Sequence, residues 1–187
     1  QMTSLWAQPL RPKKRPEVKS TSGLLFKKGS EKKFLDLLKK NPKSLKALKG
    51  LGDIYRLEKR YPESLSYYQQ YLELKPKDIR SQKMVGFLLL RTDQLEESSK
   101  IYEKLKNERK FKNDPNFHIE RGELFLKQKK FQAAKESFNQ INSHPKPLRY
   151  KLRVGEILWQ NNRSEDAREI FEEVTSQNKK APLPYYY

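Results

Sequence analysis

Apolar positions along this chain recur at steps of three and four residues, the spacing of one helical face, and the faces themselves recur. Four helix-like stretches, LKGLGDIYRL, KMVGFLLLR, IERGELFLK and LRVGEILWQ, each carry an interior glycine: Gly52, Gly86, Gly122 and Gly155, spaced 34, 36 and 33 residues apart. A glycine inside a helix costs roughly 0.8–1 kcal/mol against alanine. Four such costs in one frame predict a shared packing need, the close approach of a neighbouring helix. Tyr55, Leu89, Phe125 and Leu158 follow the glycines by three residues. Twelve residues after each glycine stand small side chains (Ser64, Ser98, Ala134, Ala167), and four further on aromatic ones (Tyr68, Tyr102, Phe138, Phe171). Tyr71, Leu105, Ile141 and Val174 complete the second face.

Each glycine stretch is separated from its aromatic stretch by a polar break: EKRYPES, RTDQLEE, KQKKFQA and NNRSEDA. The unit is therefore helix–turn–helix, near 34 residues long, and a repeat of that size predicts a stacked array. On these columns the chain resembles the tetratricopeptide repeat family, over residues 24–180 or so. The repeats fall at 45–78, 79–112, 115–147 and 148–180, and 21–44 forms a partial N-terminal repeat: Ser30, Phe34, Leu37 and Pro42 match the second half of a unit, with SGLLFKK as a shortened first helix or none. The resemblance implies an all-α fold, a right-handed α-solenoid of antiparallel helix pairs. Arg121 and Lys151 stand where the family pattern is apolar, so the third and fourth units are expected to be less regular. Asn113 and Asp114 are additional residues before the third unit, expected to change the superhelical step there.

Composition adds a charge. The net charge is +18, and residues 1–44 hold 12 Lys/Arg against 3 Asp/Glu, half of the excess. Such a field favours an acidic partner: nucleic acid, an anionic surface or an acidic protein segment. The absence of cysteine excludes disulfides and thiolate ligands. No run of 18 apolar residues occurs, so no transmembrane segment is expected, and no signal peptide is visible. The compartment stays open, cytoplasm or a processed, exported chain.

Catalytic chemistry is not indicated. His118 falls at the first apolar position of the third unit and reads as a packing residue, while His144 lies in the turn NSHPKP and reads as solvated. They have no Cys, Asp or Glu cluster beside them, so no metal or cofactor is expected, and the acidic run EDAREIFEE has the spacing of a solvated face. What remains is a binding surface. In the family the first helix of each pair lines the concave face, and here that face offers Lys46, Lys49, Asp53 and Arg56, then Arg80, Lys83, Phe87, Leu90 and Arg91, then Asn116, Ile119, Glu123, Leu126 and Lys127, then Arg149, Leu152, Glu156, Trp159 and Gln160. Lys49, Arg56, Lys83, Arg91 and Lys127 are the candidate cations for an extended peptide; Phe87, Leu90, Leu126 and Trp159 are candidate apolar anchors or, alternatively, core between units. Family members that clamp a terminal carboxylate use asparagines where this chain has Asp53 and Phe87, so that specificity is not implied although Lys49 and Lys83 match by type.

The reading is a non-enzymatic protein–protein interaction scaffold that binds a protein or peptide. Two tails flank it. Residues 1–20, with Pro9, Pro12 and Pro16, form an extended basic arm; residues 181–187 form a short apolar one, in which Pro182, Leu183, Pro184, Tyr185, Tyr186 and Tyr187 are candidates to dock in the chain's own groove or a neighbour's. Neither end of the array carries a clear cap, with apolar Leu24, Leu25, Phe26 and Phe34 at the first, and uncapped repeats favour stacking into a homo-oligomer. The alternative is salt-dependent binding of nucleic acid or an anionic surface, supported by the charge and by RPKKRP (11–16) without any recognisable reading motif.

Overall fold

The computed structural model describes residues 29–177, and among these every regular element is helical. A single helix, α1 (Ser30–Lys40), precedes four antiparallel pairs: α2 (Leu45–Leu57) with α3 (Tyr61–Leu74), α4 (Ile79–Arg91) with α5 (Leu95–Leu105), α6 (Pro115–Lys127) with α7 (Phe131–Asn139), and α8 (Leu148–Gln160) with α9 (Ser164–Gln177). The result is an α-solenoid of four and a half helix pairs. The expected tails, and the apolar Leu24–Phe26 segment, lie outside the described residues.

The glycine columns have a direct cause. In each pair the aromatic ring of the second helix lies flat against the glycine of the first. A Cβ placed on Gly52 would come within 2.7 Å of the Tyr68 ring, one on Gly122 within 2.3 Å of Phe138, and one on Gly155 within 2.4 Å of Phe171. The second pair is looser: at Gly86 the nearest atoms are Ile101 Cγ2 at 3.0 Å and Tyr102 at 3.3 Å. The small residues twelve positions on sit under the same crossing. Ser64 Oγ donates to the Gly52 carbonyl (2.7 Å) and Ser98 Oγ to the Gly86 carbonyl (2.8 Å), while Ala134 and Ala167 are buried in the later pairs. The partial unit uses the same device across a unit boundary, Phe34 of α1 packing on Gly50 of α2.

The four polar breaks are one turn repeated. Lys59, Asp93, Lys129 and Asn162 all adopt a left-handed backbone with φ near 60°. In each case the next residue's N–H reaches back to the carbonyl three residues after the glycine: Arg60 to Tyr55, Gln94 to Leu89, Lys130 to Phe125 and Arg163 to Leu158, at 2.8–2.9 Å. This is the closure that satisfies the last carbonyls of a helix.

Units join through apolar side chains. Leu90 packs with Tyr102, Leu105, Phe111, Phe117 and Leu124, and Leu126 with Val154, Ile157 and Leu158, so α4 and α6 are each covered by the unit that follows. The two places where the family pattern is broken are held by ion pairs. Arg121 lies over the Phe125 ring (5.0 Å) and its Nη2 meets Glu103 at 2.9 Å; buried Lys151 pairs with Glu173. Asn113 and Asp114 lengthen the α5–α6 connection, and Asp114 caps α6 through Asn116 N (3.0 Å). His118 is buried as expected of a packing residue, its Nε2 donating to the Lys112 carbonyl at 2.8 Å. His144, expected to be solvated, is half-buried, its ring edge-on to Tyr150 at 4.8 Å and its Nδ1 accepting from Lys146 N.

Two predictions follow from this packing. Filling the three tight crossings (Gly52→Ala, Gly122→Ala, Gly155→Ala) should destabilise by about 1–2 kcal/mol each, since overpacking costs about 1–3 kcal/mol and alanine's helix preference returns about 1; Gly86→Ala should be near neutral, and urea denaturation gives the order. Tyrosine ionisation should couple to unfolding. Burial, and then the hydrogen bond to Glu31, push Tyr55 up to about 12, and burial with neighbouring carboxylates raises Tyr68, Tyr71 and Tyr102. Folding favours the neutral phenols, so this stability is complete below pH 10, the ordinary tyrosine value, and is lost as pH rises above it. Titration followed at 295 nm should show these four ionising late, together with loss of helical circular dichroism.

Candidate functional site

The first helices, α2, α4, α6 and α8, stand side by side, and cross-helix bonds join their equivalent faces into one surface. Lys49 Nζ lies 3.8 Å from Asp78, the residue that caps α4, and 5.5 Å from the centre of the Tyr71 ring. One unit on, Lys83 repeats the contact with the cap of α6, Asp114, at 3.4 Å, and also reaches Glu120 at 3.1 Å. Arg91 grips Glu123 with two N–H bonds of 2.6 Å. Lys127 returns to Asp93 at 2.8 Å, and Arg153 of α8 donates to Asn116 at 3.4 Å.

The carboxylates in this network differ in burial, from exposed Asp93 to enclosed Glu120 and Glu123. Glu120 and Glu123 are both buried, Glu120 also accepting from the Tyr102 hydroxyl at 3.0 Å. Burial works against the Asp78 carboxylate, but the Ser81 hydroxyl and N–H, the Tyr71 hydroxyl and nearby Lys49 outweigh it and hold its pKa below the ordinary value. Burial likewise opposes the Arg91 charge, and the two bonds to Glu123 overcome it, raising its pKa. Arg56 lies 3.8 Å from Asp53, which accepts from the Tyr68 hydroxyl at 2.7 Å.

The cations expected to meet a partner are therefore already matched inside the array: Lys49, Arg56, Lys83, Arg91 and Lys127 each face a carboxylate of this chain. The expected anchors divide. Leu90 is 0% and Leu126 6% exposed, and their side chains belong to the joints between units, out of a partner's reach in this structure. Phe87 is half-buried, with Arg91 4.9 Å above its ring and Tyr61 edge-on at 6.2 Å. Trp159 holds the position of Leu90 and Leu126 in the last pair, where no later unit is described, and is 40% exposed. Pro182 to Tyr187, the candidate docking tail, lies outside the described residues.

A second set emerges from the same frame. Lys46, Arg80 and Arg149 occupy one column, six residues before each glycine, and all three are exposed; among the described residues none makes an ion pair. They sit at the second residue of α2, α4 and α8, so side-chain charge and the positive ends of the helices coincide along one edge of the face. Asp78 and Glu120 were not singled out from sequence, and Asp114 only as an added residue, yet the caps had a signal: Ser44, Asp78 and Asp114 all stand eight residues before a glycine. No helix is long and apolar enough to cross a membrane, and no group of three metal-ligating side chains occurs, among the described residues.

The Arg91–Glu123 pair is the strongest of these contacts. Glu123→Ala should cost about 3 kcal/mol, the low end for a broken buried pair because Arg91 keeps some solvent exposure, whereas replacing both partners with Met and Leu should cost much less. Denaturation of the two variants and the parent checks this.

The tetratricopeptide repeat model matches residues 29–79 and 119–182, more than half of the chain. A search of curated proteins finds no match. Among solved structures, MamA from Desulfovibrio magneticus RS-1 superposes with a TM-score of 0.65 at 14% identity, covering 82% of this chain and 89% of that one. PilW, a type IV pilus biogenesis factor, gives 0.64 at 18% identity, covering 82% and 72%. YrrB, described as a TPR protein with an unusual peptide-binding site, gives 0.61 at 15% identity, covering 82% and 79%. Repeat columns, paired helices and the family match agree, and the chain belongs to the tetratricopeptide repeat family.

Proposed function

We propose that this solenoid is a non-enzymatic protein–protein interaction scaffold whose first-helix face holds an extended peptide. The observation that carries the reading is the division of that face. Most of its charges are neutralised by carboxylates of the chain itself, leaving the exposed cation column Lys46, Arg80 and Arg149 beside two aromatic surfaces, half-buried Phe87 and exposed Trp159. An extended peptide can set acidic groups on the column and apolar side chains on the aromatics, and aromatic anchors carry a large share of binding energy at such interfaces. YrrB, of the same fold, is described as having a peptide-binding site, which supports the class of ligand and not its identity.

Self-association is the second part of the proposal. Trp159 stands where earlier units are covered by a following helix pair, and an apolar segment, residues 182–187, comes shortly after α9. Docking of that segment on an array, its own or a neighbour's, supplies the cover.

Light scattering of the full chain and of a chain lacking 182–187, at two salt concentrations, tests both parts together with anisotropy of a labelled APLPYYY peptide. We expect a lower mass or a newly available peptide site on deletion, with binding weakened about tenfold by Phe87→Ala or Trp159→Ala and little changed by salt. Unchanged mass with no peptide binding would sink the proposal. Nucleic acid is favoured instead if an oligonucleotide binds and loses about 10³-fold or more in affinity between 50 and 200 mM salt.

A further inference from the structure

The longest connection between helix pairs builds a polar cleft that the peptide-binding face does not use. The chain passes from α3 to α4 in residues 75–78, but from α5 to α6 in residues 106–114. The longer passage is anchored by Phe111, buried and stacked on Phe117 at 5.1 Å, and it leaves Lys106 and Lys112 around a cavity of about 340 Å³. His118 and Arg121 of α6, Ser137 of α7 and Gln140 just after it line the same space. His118, Arg121 and Phe125 share a face of α6 that, at about 100° per residue, is turned roughly opposite to Glu120, Glu123 and Lys127.

Two polar atoms of these lining residues are buried without a hydrogen-bond partner: His118 Nδ1 and Arg121 Nε. His118 is 8% exposed. The Lys112 carbonyl can only accept, so His118 Nε2 carries the proton in that bond, and in the neutral ring Nδ1 is left as an acceptor without a donor. Arg121 Nε–H is a donor without an acceptor. Buried polar groups are nearly always paired, and an orphaned one calls for a physical explanation. A group that both donates and accepts would satisfy the two together.

We propose that this cleft binds a hydrogen-phosphate group. On binding, shifts of the two side chains open His118 Nδ1 and Arg121 Nε, both closed to solvent in this structure, so that the P–OH donates to Nδ1 and the phosphate oxygens accept from Nε and the Lys112 ammonium, with the surrounding cations supplying the charge. Lys106 and Arg121 are linked across the cleft's edge by Glu103, at 2.6 and 2.9 Å, which keeps both side chains in place. The hydrogen bond from Lys106, joined by that from Arg121, holds the Glu103 carboxyl below its ordinary value, so this brace stays ionised. Glu136 is the one carboxylate in the lining, and it accepts from Gln132 at 3.1 Å. Arg121, out of place in the repeat pattern, and Lys112, in the lengthened connection, then belong to one feature.

The chain has only two histidines, so His144 serves as an internal reference. In imidazole-selected NMR spectra of the full chain, inorganic phosphate should shift the His118 signals saturably, with a dissociation constant of roughly 1 mM, and leave His144 unmoved. Sulfate, which offers no O–H donor, should bind at least tenfold more weakly at matched ionic strength. Arg121→Gln and Lys112→Gln should each weaken phosphate at least fivefold, and Lys46→Gln should not; Lys112 is exposed, so its variant carries the test if the Arg121 change impairs folding. A peptide bearing phosphoserine is the second arm: saturation by inorganic phosphate assigns a free ion, and saturation by the peptide alone assigns a partner's phosphorylated side chain. No saturable His118 response to either, equal shifts at His144, or equal binding of sulfate would overturn the proposal.

Discussion

A flat aromatic ring against a bare helix backbone is the contact on which this molecule is built. Tyr68 on Gly52, Phe138 on Gly122 and Phe171 on Gly155 bring the two helices of a pair closer than any side chain at the glycine would allow. The approach sets everything around it. It requires Ser or Ala at the crossing, where Ser64 and Ser98 also satisfy the glycine carbonyls. It requires the chain to reverse within a few residues, which the left-handed residue at Lys59, Asp93, Lys129 and Asn162 accomplishes. A left-handed backbone costs a non-glycine residue roughly 1–2 kcal/mol. The protein tolerates that cost four times because the backbone closure and the ring–glycine contact both depend on it.

Between pairs the logic changes. Apolar side chains such as Leu90 and Leu126 fill the joints, but the register of one pair on the next is marked by directional groups: Arg91 on Glu123, Lys83 on Glu120 and Asp114, Lys49 on Asp78. Buried ion pairs contribute little net stability over apolar substitutes, and their best-attested use is to specify one arrangement. They cluster at the α4–α6 joint, where the additional residues 113–114 would otherwise leave the step least defined. The same pairs remove most of the positive charge from the first-helix face, so a chain of +18 presents a sparse pattern there and not a uniform basic surface.

The repeat was legible in the sequence because its causes are local and periodic. Glycine, small and aromatic residues at fixed spacing are each required by a contact made inside one unit, so the unit can be read from any one copy and checked against three others. The groove was legible only in outline. Lys49, Lys83 and Arg91 were identifiable as first-helix cations, but the acceptors that neutralise them lie about 30 residues further along, and their distance depends on how units stack. Leu90 and Trp159 show the limit most clearly: they hold equivalent positions, and one is buried while the other is exposed because one has a following unit over it.

By itself, then, the sequence determined the helix pairs, their number and the family they belong to, since periodic short-range packing leaves its mark at fixed intervals along the chain. Only the tertiary structure decided which cations are already paired, which apolar groups are covered, and that the irregular connection 106–114 encloses a polar cleft with His118 and Arg121 in its lining. Those outcomes depend on contacts between different units, and no interval along the chain encodes the geometry of one unit against the next.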